Sequence, residues 1–337
     1  LSFAASWIRY QSNFDFEQGQ PAVIELYSAI WRVSGRRQLV LVLLSLAVAG
    51  LSAVPLSYQK DIVNALSIAT IDTPRLLLMC AEMIGVILLS LSLKWLMSYR
   101  SGKLGEDIIR RLRRHLYDSS AAAAQTHGKR IPKGTLATTI SAEAEELGKF
   151  AGGAFSDPVV QIGTLVVVIG YIATSQPLLG LISLAMITPQ VIIVLITQRK
   201  VNELVARRVR ILRGSTDKIL KQYDDGPDLA IGEDFDKIFE TRRVMFIWKL
   251  STKFVISALN AAATVGVLAL GGWMVLEGRT DVGTVVAATL GLSRLQAPTS
   301  FLIAFYRQVS AARVKFDLVR ELMEISPNGS TARAMNN

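Results

Sequence analysis

Six apolar stretches alternate with polar ones along the chain: 39–56, 76–97, 158–173, 178–196, 254–276 and 283–306. Each is about 16 to 24 residues long, near the ~20 that cross a ~30 Å hydrocarbon core as a helix. The links alternate in length. Those after the first, third and fifth stretches are short, whereas 98–157 and 197–253 run to 60 and 57 residues. The pattern predicts an all-α membrane protein: six transmembrane helices with long helical extensions on one side.

The long links carry a helical period of their own. Leu104, Ile108, Leu112 and Leu116 recur every four residues, with Arg110, Arg111, Arg113 and Arg114 between them. An amphipathic helix therefore continues out of the second stretch. The run His127-Gly128-Lys129-Arg130-Ile131-Pro132-Lys133-Gly134 breaks it, and Leu136, Ile140, Ala144, Leu147 and Ala151 begin another stripe. The second link repeats the design. Val201, Val205, Val209, Leu212, Ile219 and Tyr223 form one stripe; Asp224-Asp225-Gly226-Pro227-Asp228 interrupts it; Phe235, Ile238, Phe239 and Phe246 resume it. A helix of about 25 residues is roughly 37 Å long, so both pairs project beyond the head groups as hairpins. They are alike in length and pattern, not in sequence.

Ahead of the first stretch, Pro21 suits a first helical turn. Val23, Leu26, Tyr27, Ile30 and Trp31 follow at three- and four-residue spacing, then Arg32, Arg36 and Arg37. Residues 22–36 read as an interfacial elbow helix lying on the leaflet before the chain turns into the first span, or as a short helix packed on protein. The expected membrane domain covers 37–324, and 325–337 is a tail or linker. Residues 1–21 are polar and aromatic and begin with Leu1, so they read as the end of something longer.

Charge sets the expected orientation. All but five of the 37 Lys and Arg lie at the two ends or in the two long links; the exceptions are Lys60, Arg75, Lys94, Arg279 and Arg294. Under the positive-inside rule both ends and both hairpins are cytoplasmic. The net charge of +10 would ordinarily raise nucleic acid as a partner, but these cations border apolar stretches, so membrane lipids are the expected counter-charge and nucleic acid is not. Mean hydropathy is +0.37. Cys80 is the single cysteine and lies in the second stretch, which leaves no disulfide framework and no Cys-based metal site.

Several segments resemble the six-helix membrane domain of ATP-binding cassette (ABC) exporters. The run 55–66 (Pro55-Leu56-Ser57-Tyr58-Gln59-Lys60-Asp61-Ile62-Val63-Asn64-Ala65-Leu66) is similar to the outer end of that family's first helix. Gly134-Thr135-Leu136, with Ser141 and Glu143, resembles the family's G-(D/E)-L-x-S-R-x-x-x-D region, although Thr135 replaces the acid and Thr138-Thr139 stands where Ser-Arg is common. Residues 272–283, from Gly272 through Gly278 and Asp281 to Gly283, are similar to the G-x-x-x-V-x-x-G-x-(L/I)-(T/S)-x-G link between the fifth and sixth helices. Pro298 and Ala311-Ala312-Arg313 fit the end of the sixth.

The resemblance covers about 22–324 and implies a domain that pairs with a second transmembrane half as a homo- or heterodimer. It implies coupling turns at about 125–134 (His127, Gly128, Lys129, Arg130) and 224–236 (Asp224, Asp225, Gly226, Pro227, Asp228, Glu233), seated in nucleotide-binding domains. The implied setting is a bacterial inner (plasma) membrane. The chain carries no Walker A of the form G-x-x-x-x-G-K-[ST]; Gly102-Lys103, Gly128-Lys129 and Gly148-Lys149-Phe150 lack the spacing or the hydroxyl. ATP and Mg are therefore expected on a missing or separate nucleotide-binding domain, and no catalytic role falls to this chain.

Ionisable and amide groups inside spans are costly, so they are the candidates for a substrate pathway. They are Arg294 and Gln296 in the sixth stretch, Asn260 in the fifth, Glu82 in the second, Gln161 in the third, and Gln190 beside Pro189 in the fourth. Interhelical hydrogen bonding or ion pairing is the structural alternative for each. The acidic group Asp224, Asp225, Asp228, Glu233, Asp234 and Asp236 lacks the alternate-residue spacing of a calcium loop, and His115 and His127 lack an HExxH context. The expected function is ATP-driven export of an amphipathic or hydrophobic substrate. A cassette-free transporter driven by a proton gradient, or a non-transporting assembly on the same scaffold, are the alternatives.

Overall fold

The computed structural model describes residues 19–67, 72–127, 133–221 and 229–324. Ten α-helices and one π-helical turn make up these residues, with no strand among them. In chain order they are α1 (Gly19–Gly50), α2 (Val54–Ser67), α3 (Thr73–His127), α4 (Lys133–Thr138), the π turn Thr139–Glu143, α5 (Ala144–Gly153), α6 (Ser156–Ser175), α7 (Pro177–Lys221), α8 (Leu229–Leu276), α9 (Val282–Arg294) and α10 (Gln296–Glu324). Five stretches among the described residues are long and apolar enough to cross a membrane: Val23–Ser67, Thr73–Ala121, Leu136–Ser175, Pro177–Val205 and Gly232–Leu276. They contain the first five predicted spans.

The sixth predicted span, 283–306, is not one helix but two, α9 and α10, meeting at Leu295. Pro298 is the cause. It has no N–H to give the Arg294 carbonyl four residues earlier, and its ring crowds that carbonyl. Leu295 instead makes a tighter bond, its N–H donating to Leu292 O at 3.2 Å. Pro55 acts in the same way on the first span. The helix stops at Gly50, Ser52 donates from its backbone to Ala49 O at 3.0 Å, and the helical path resumes at Val54.

The chain divides into two compact units. The first comprises the described parts of 1–54, 81–165 and 300–337. Its organising element is α1, whose buried positions Leu26, Ile30, Ser34, Gln38, Leu41, Ser45 and Val48 recur every three or four residues. Leu26 and Ile30 pack with Leu116, Leu147, Ala151, Ala312 and Val319, while Leu41 and Val48 pack with Met97, Leu104 and Val160. Two of the buried polar members are bonded across: Gln38 Nε2 donates to Ala151 O at 2.8 Å, and Ser45 Oγ to Ser156 O at 3.0 Å.

That stripe begins within 22–36. No turn separates 22–36 from the first span; α1 runs unbroken through both. One face of the early segment is held by protein, with Tyr27 and Trp31 edge-on to Phe155 at 5.2 and 5.6 Å between ring centroids. The opposite face, with Ile24 and Val33, is exposed.

The second unit comprises the described parts of 55–80 and 166–299. Its helices α8 and α9 are joined by a turn whose chemistry is local. Arg279 donates from its backbone N–H to Met274 O at 2.9 Å and Gly278 to Val275 O at 3.0 Å, the paired bonds of a Schellman C-cap. Gly278 sits at φ 69°, the left-handed conformation that glycine adopts without a Cβ penalty. Asp281 then caps α9 by accepting from Thr284 N at 2.7 Å. Asn64 of α2 ties this turn down: its Nδ2 donates to Asp281 Oδ1 at 2.7 Å and its Oδ1 accepts from Gly283 N at 2.7 Å. A Cβ on Gly283 would meet the Lys60 carbonyl, so only glycine permits the approach.

Candidate functional site

Within the second unit, α7 and α8 form an antiparallel hairpin held by polar rungs. Gln190 Nε2 donates to Asn260 Oδ1 at 2.8 Å, the Thr197 and Thr252 hydroxyls lie 2.7 Å apart, and Ser215 Oγ donates to Asp234 Oδ2 at 3.3 Å. Advancing 25 residues along α7 from Gln190 to Ser215 is matched by retreating 26 along α8 from Asn260 to Asp234. The register therefore holds to within one residue for about 37 Å. Gln190, Ser215 and Asp234 are all buried, and a buried polar group without a partner is costly. These rungs fix which faces of the two helices meet.

The first unit contains a second hairpin, from α3 to the π turn and α5. Arg113 spans it with three bonds: Nε to Ile140 O at 3.0 Å, and one terminal nitrogen to Ser141 O and to Glu145 Oε2, both at 3.1 Å. Ile140 and Ser141 lie in the π turn, where carbonyls are displaced from the ordinary i−4 ladder. Arg113 satisfies them. Glu145 also accepts from Lys149 at 2.6 Å, and that bond, with the charges of Lys149 and Arg113, holds its carboxyl below the usual range. Further along, Gly105 faces Gly148 closely enough that a Cβ would lie 3.0 Å from the Gly148 carbonyl. Small residues let these backbones touch.

The candidate pathway residues distribute unevenly. Gln190 and Asn260 are brought together. Arg294 is half-buried at the last position of α9, and Gln296 is exposed at the first of α10. Gln161 is half-buried on α6, while Glu82 is exposed on α3. Of the coupling-turn residues, His127 ends α3, and Glu233 is exposed on α8 with Lys237 Nζ at 3.6 Å. Gly128, Lys129, Arg130, Asp224, Asp225, Gly226, Pro227 and Asp228 lie outside the described residues. Sequence reasoning missed Arg113, Thr197, Thr252 and Ser215. Nothing in the spacing sets Arg113 apart from Arg110, Arg111 and Arg114 beside it.

Residues 39–209, just over half of the chain, match the ABC transporter transmembrane region. The chain belongs to that family. It is an integral, multi-pass, all-α membrane protein, an ABC transmembrane domain whose helices run far past their apolar stretches. An ABC transmembrane domain works with nucleotide-binding domains, and the two hairpins are the parts of this one that reach away from the spans. No curated protein sequence matches the chain.

Proposed function

We propose that this chain is the membrane-spanning half of an ATP-driven exporter, moving an amphipathic or hydrophobic substrate such as a lipid, peptide or drug by alternating access. The observation that carries the reading is length. Helices α3, α7 and α8 have 55, 45 and 48 residues, or about 82, 67 and 72 Å. A span needs about 30 Å, so each leaves some 35–50 Å of rod outside the bilayer. The rungs on α7 and α8 and the Arg113 clamp supply the stiffness a lever requires.

In this reading both ends and both hairpin tips are cytoplasmic, and the tips near 125–134 and 224–236 sit in nucleotide-binding domains. ATP and Mg bind there, on a separate chain or domain, and the catalytic groups are theirs. Closure of those domains swings the rods and exposes the pathway to alternate sides. A second transmembrane half, identical or homologous, completes it. Arg294, Gln296, Gln161, Glu82 and the Gln190–Asn260 pair are the polar groups the substrate meets.

The test is co-reconstitution in proteoliposomes with the nucleotide-binding domain of the same transporter. Lipid, peptide and drug panels are screened for stimulation of ATP hydrolysis and for uptake. Arg294→Ala should reduce cargo stimulation while leaving basal hydrolysis intact. Transport that follows an imposed pH gradient without ATP would overturn the proposal.

A further inference from the structure

A cleft of about 950 Å³ opens between α1 and α3, where both helices pass from apolar into charged sequence. Five cations line it against the two carboxylates Glu106 and Asp107. Asp107 occupies two of the five, accepting from Arg37 at 2.7 Å and pairing with Arg110 at 2.7 Å. Among the described residues, Arg36, Arg100 and Lys103 have no carboxylate partner. Five cations against two carboxylates leave the cleft a surplus of positive charge.

Its other walls are apolar, with Val40, Leu41 and Leu104. An apolar groove of about 530 Å³ lies along α3 on the membrane side, formed by Leu88, Leu91, Ser92, Trp95 and Leu96. Trp95 and Tyr99 connect the two: their rings stack at 5.8 Å with 8° between planes, and they are 68% and 57% exposed. Exposed aromatic rings in such a place mark the depth of the head groups. From Leu91 to Arg100 is about 14 Å along the helix, less than the length of an acyl chain.

We propose that the cleft and groove form a binding site for an anionic phospholipid of the adjoining leaflet. Its phosphate is held by Arg36, Arg100 and Lys103, and an acyl chain lies along Leu91 and Trp95. A soluble anion would use the cations but leave the groove unfilled, and a soluble acidic peptide would have to descend to the level of Trp95. Only a lipid presents charge and hydrocarbon at these two depths together. The site is independent of what the chain exports.

Full-length chain in nanodiscs mixing phosphatidylglycerol and phosphatidylcholine tests this by native mass spectrometry after detergent release. Wild type should retain phosphatidylglycerol in preference to phosphatidylcholine. Arg100→Gln with Lys103→Gln should lower that retention at least tenfold, since each cation near the surface contributes a several-fold factor. Arg242→Gln with Arg243→Gln, which removes equal charge from exposed positions on α8, should leave it unchanged. If the paired variant fails to fold, exposed Arg36→Gln carries the same test with a smaller loss. Equal loss in the α8 control, equal retention of the two lipids, or displacement of the lipid by inorganic phosphate would each overturn the site.

Discussion

Gln190 donates a hydrogen bond to Asn260 at 2.8 Å, one residue beyond Pro189 and inside two predicted spans. The pair joins α7 to α8 at the membrane end of their ladder. It also explains how two amides are tolerated in apolar sequence: each supplies the partner the lipid cannot. Gln190→Leu and Asn260→Leu should each destabilise the fold by about 1 kcal/mol. A double-mutant cycle should return a coupling of roughly 0.6–1.7 kcal/mol. Zero coupling, measured by reversible unfolding in mixed micelles, would mean that the rung holds nothing together.

Arg113 is irreplaceable by lysine if its planar fork is what satisfies the π turn. Arg113→Lys keeps the charge but loses the geometry that reaches Ile140 O, Ser141 O and Glu145 together. A loss of about 1–2 kcal/mol is expected. Hydrogen exchange should rise across 139–145 while the α7–α8 hairpin stays protected. Unchanged exchange in the π turn would contradict the clamp.

Pro298→Ala restores an N–H four residues after Arg294, so α9 and α10 should fuse into one helix. In a Cys80→Ala background, spin labels at Leu290 and Tyr306 should then report a narrow distribution near the ~24 Å of a straight helix. Transport should fall although stability holds or rises, because the interruption, not the residue, is what a moving gate uses. A broad distribution in the variant would place the break elsewhere.

Asp107 carries a pH dependence with a definite sign. The hydrogen bond from Arg37, and behind it the charges of Arg111 and Arg110, outweigh its partial burial and hold its carboxyl below the usual carboxylate range. A group with a depressed folded pKa stabilises above its unfolded value and loses that contribution as pH falls through the folded one. The α1–α3 contact should therefore be fully held at neutral pH and weaken only in acid. Asp107→Asn should flatten the acid limb of thermal stability without changing the neutral-to-alkaline limb. An unaltered acid limb would show that Asp107 is not the titrating group.

Sequence periodicity sufficed for the helices and the two hairpins, because apolar length and four-residue stripes are one-dimensional properties. The break at Leu295 was not among them; it follows from the missing N–H and the ring of Pro298 at the Arg294 carbonyl. The rungs were not legible. Thr252 also donates to its own Trp248 O at 2.8 Å, as a helical threonine does anywhere, and nothing in the spacing says that Thr197 faces it. Nor does the charge at Arg36 and Arg37 show that one buried face of α1 passes beneath them, through Ser34 and Gln38 to Leu41.

The account rests on two hairpins that leave the bilayer on the same side. In a Cys80→Ala background, single cysteines at Ser119 on α3, Glu240 on α8 and Glu277 in the α8–α9 turn can be probed with a membrane-impermeant maleimide in sealed vesicles of known orientation. Ser119→Cys and Glu240→Cys should label only from the cytoplasmic face, and Glu277→Cys only from the other. Labelling of the first two from opposite faces would contradict the coupling geometry and the function built on it.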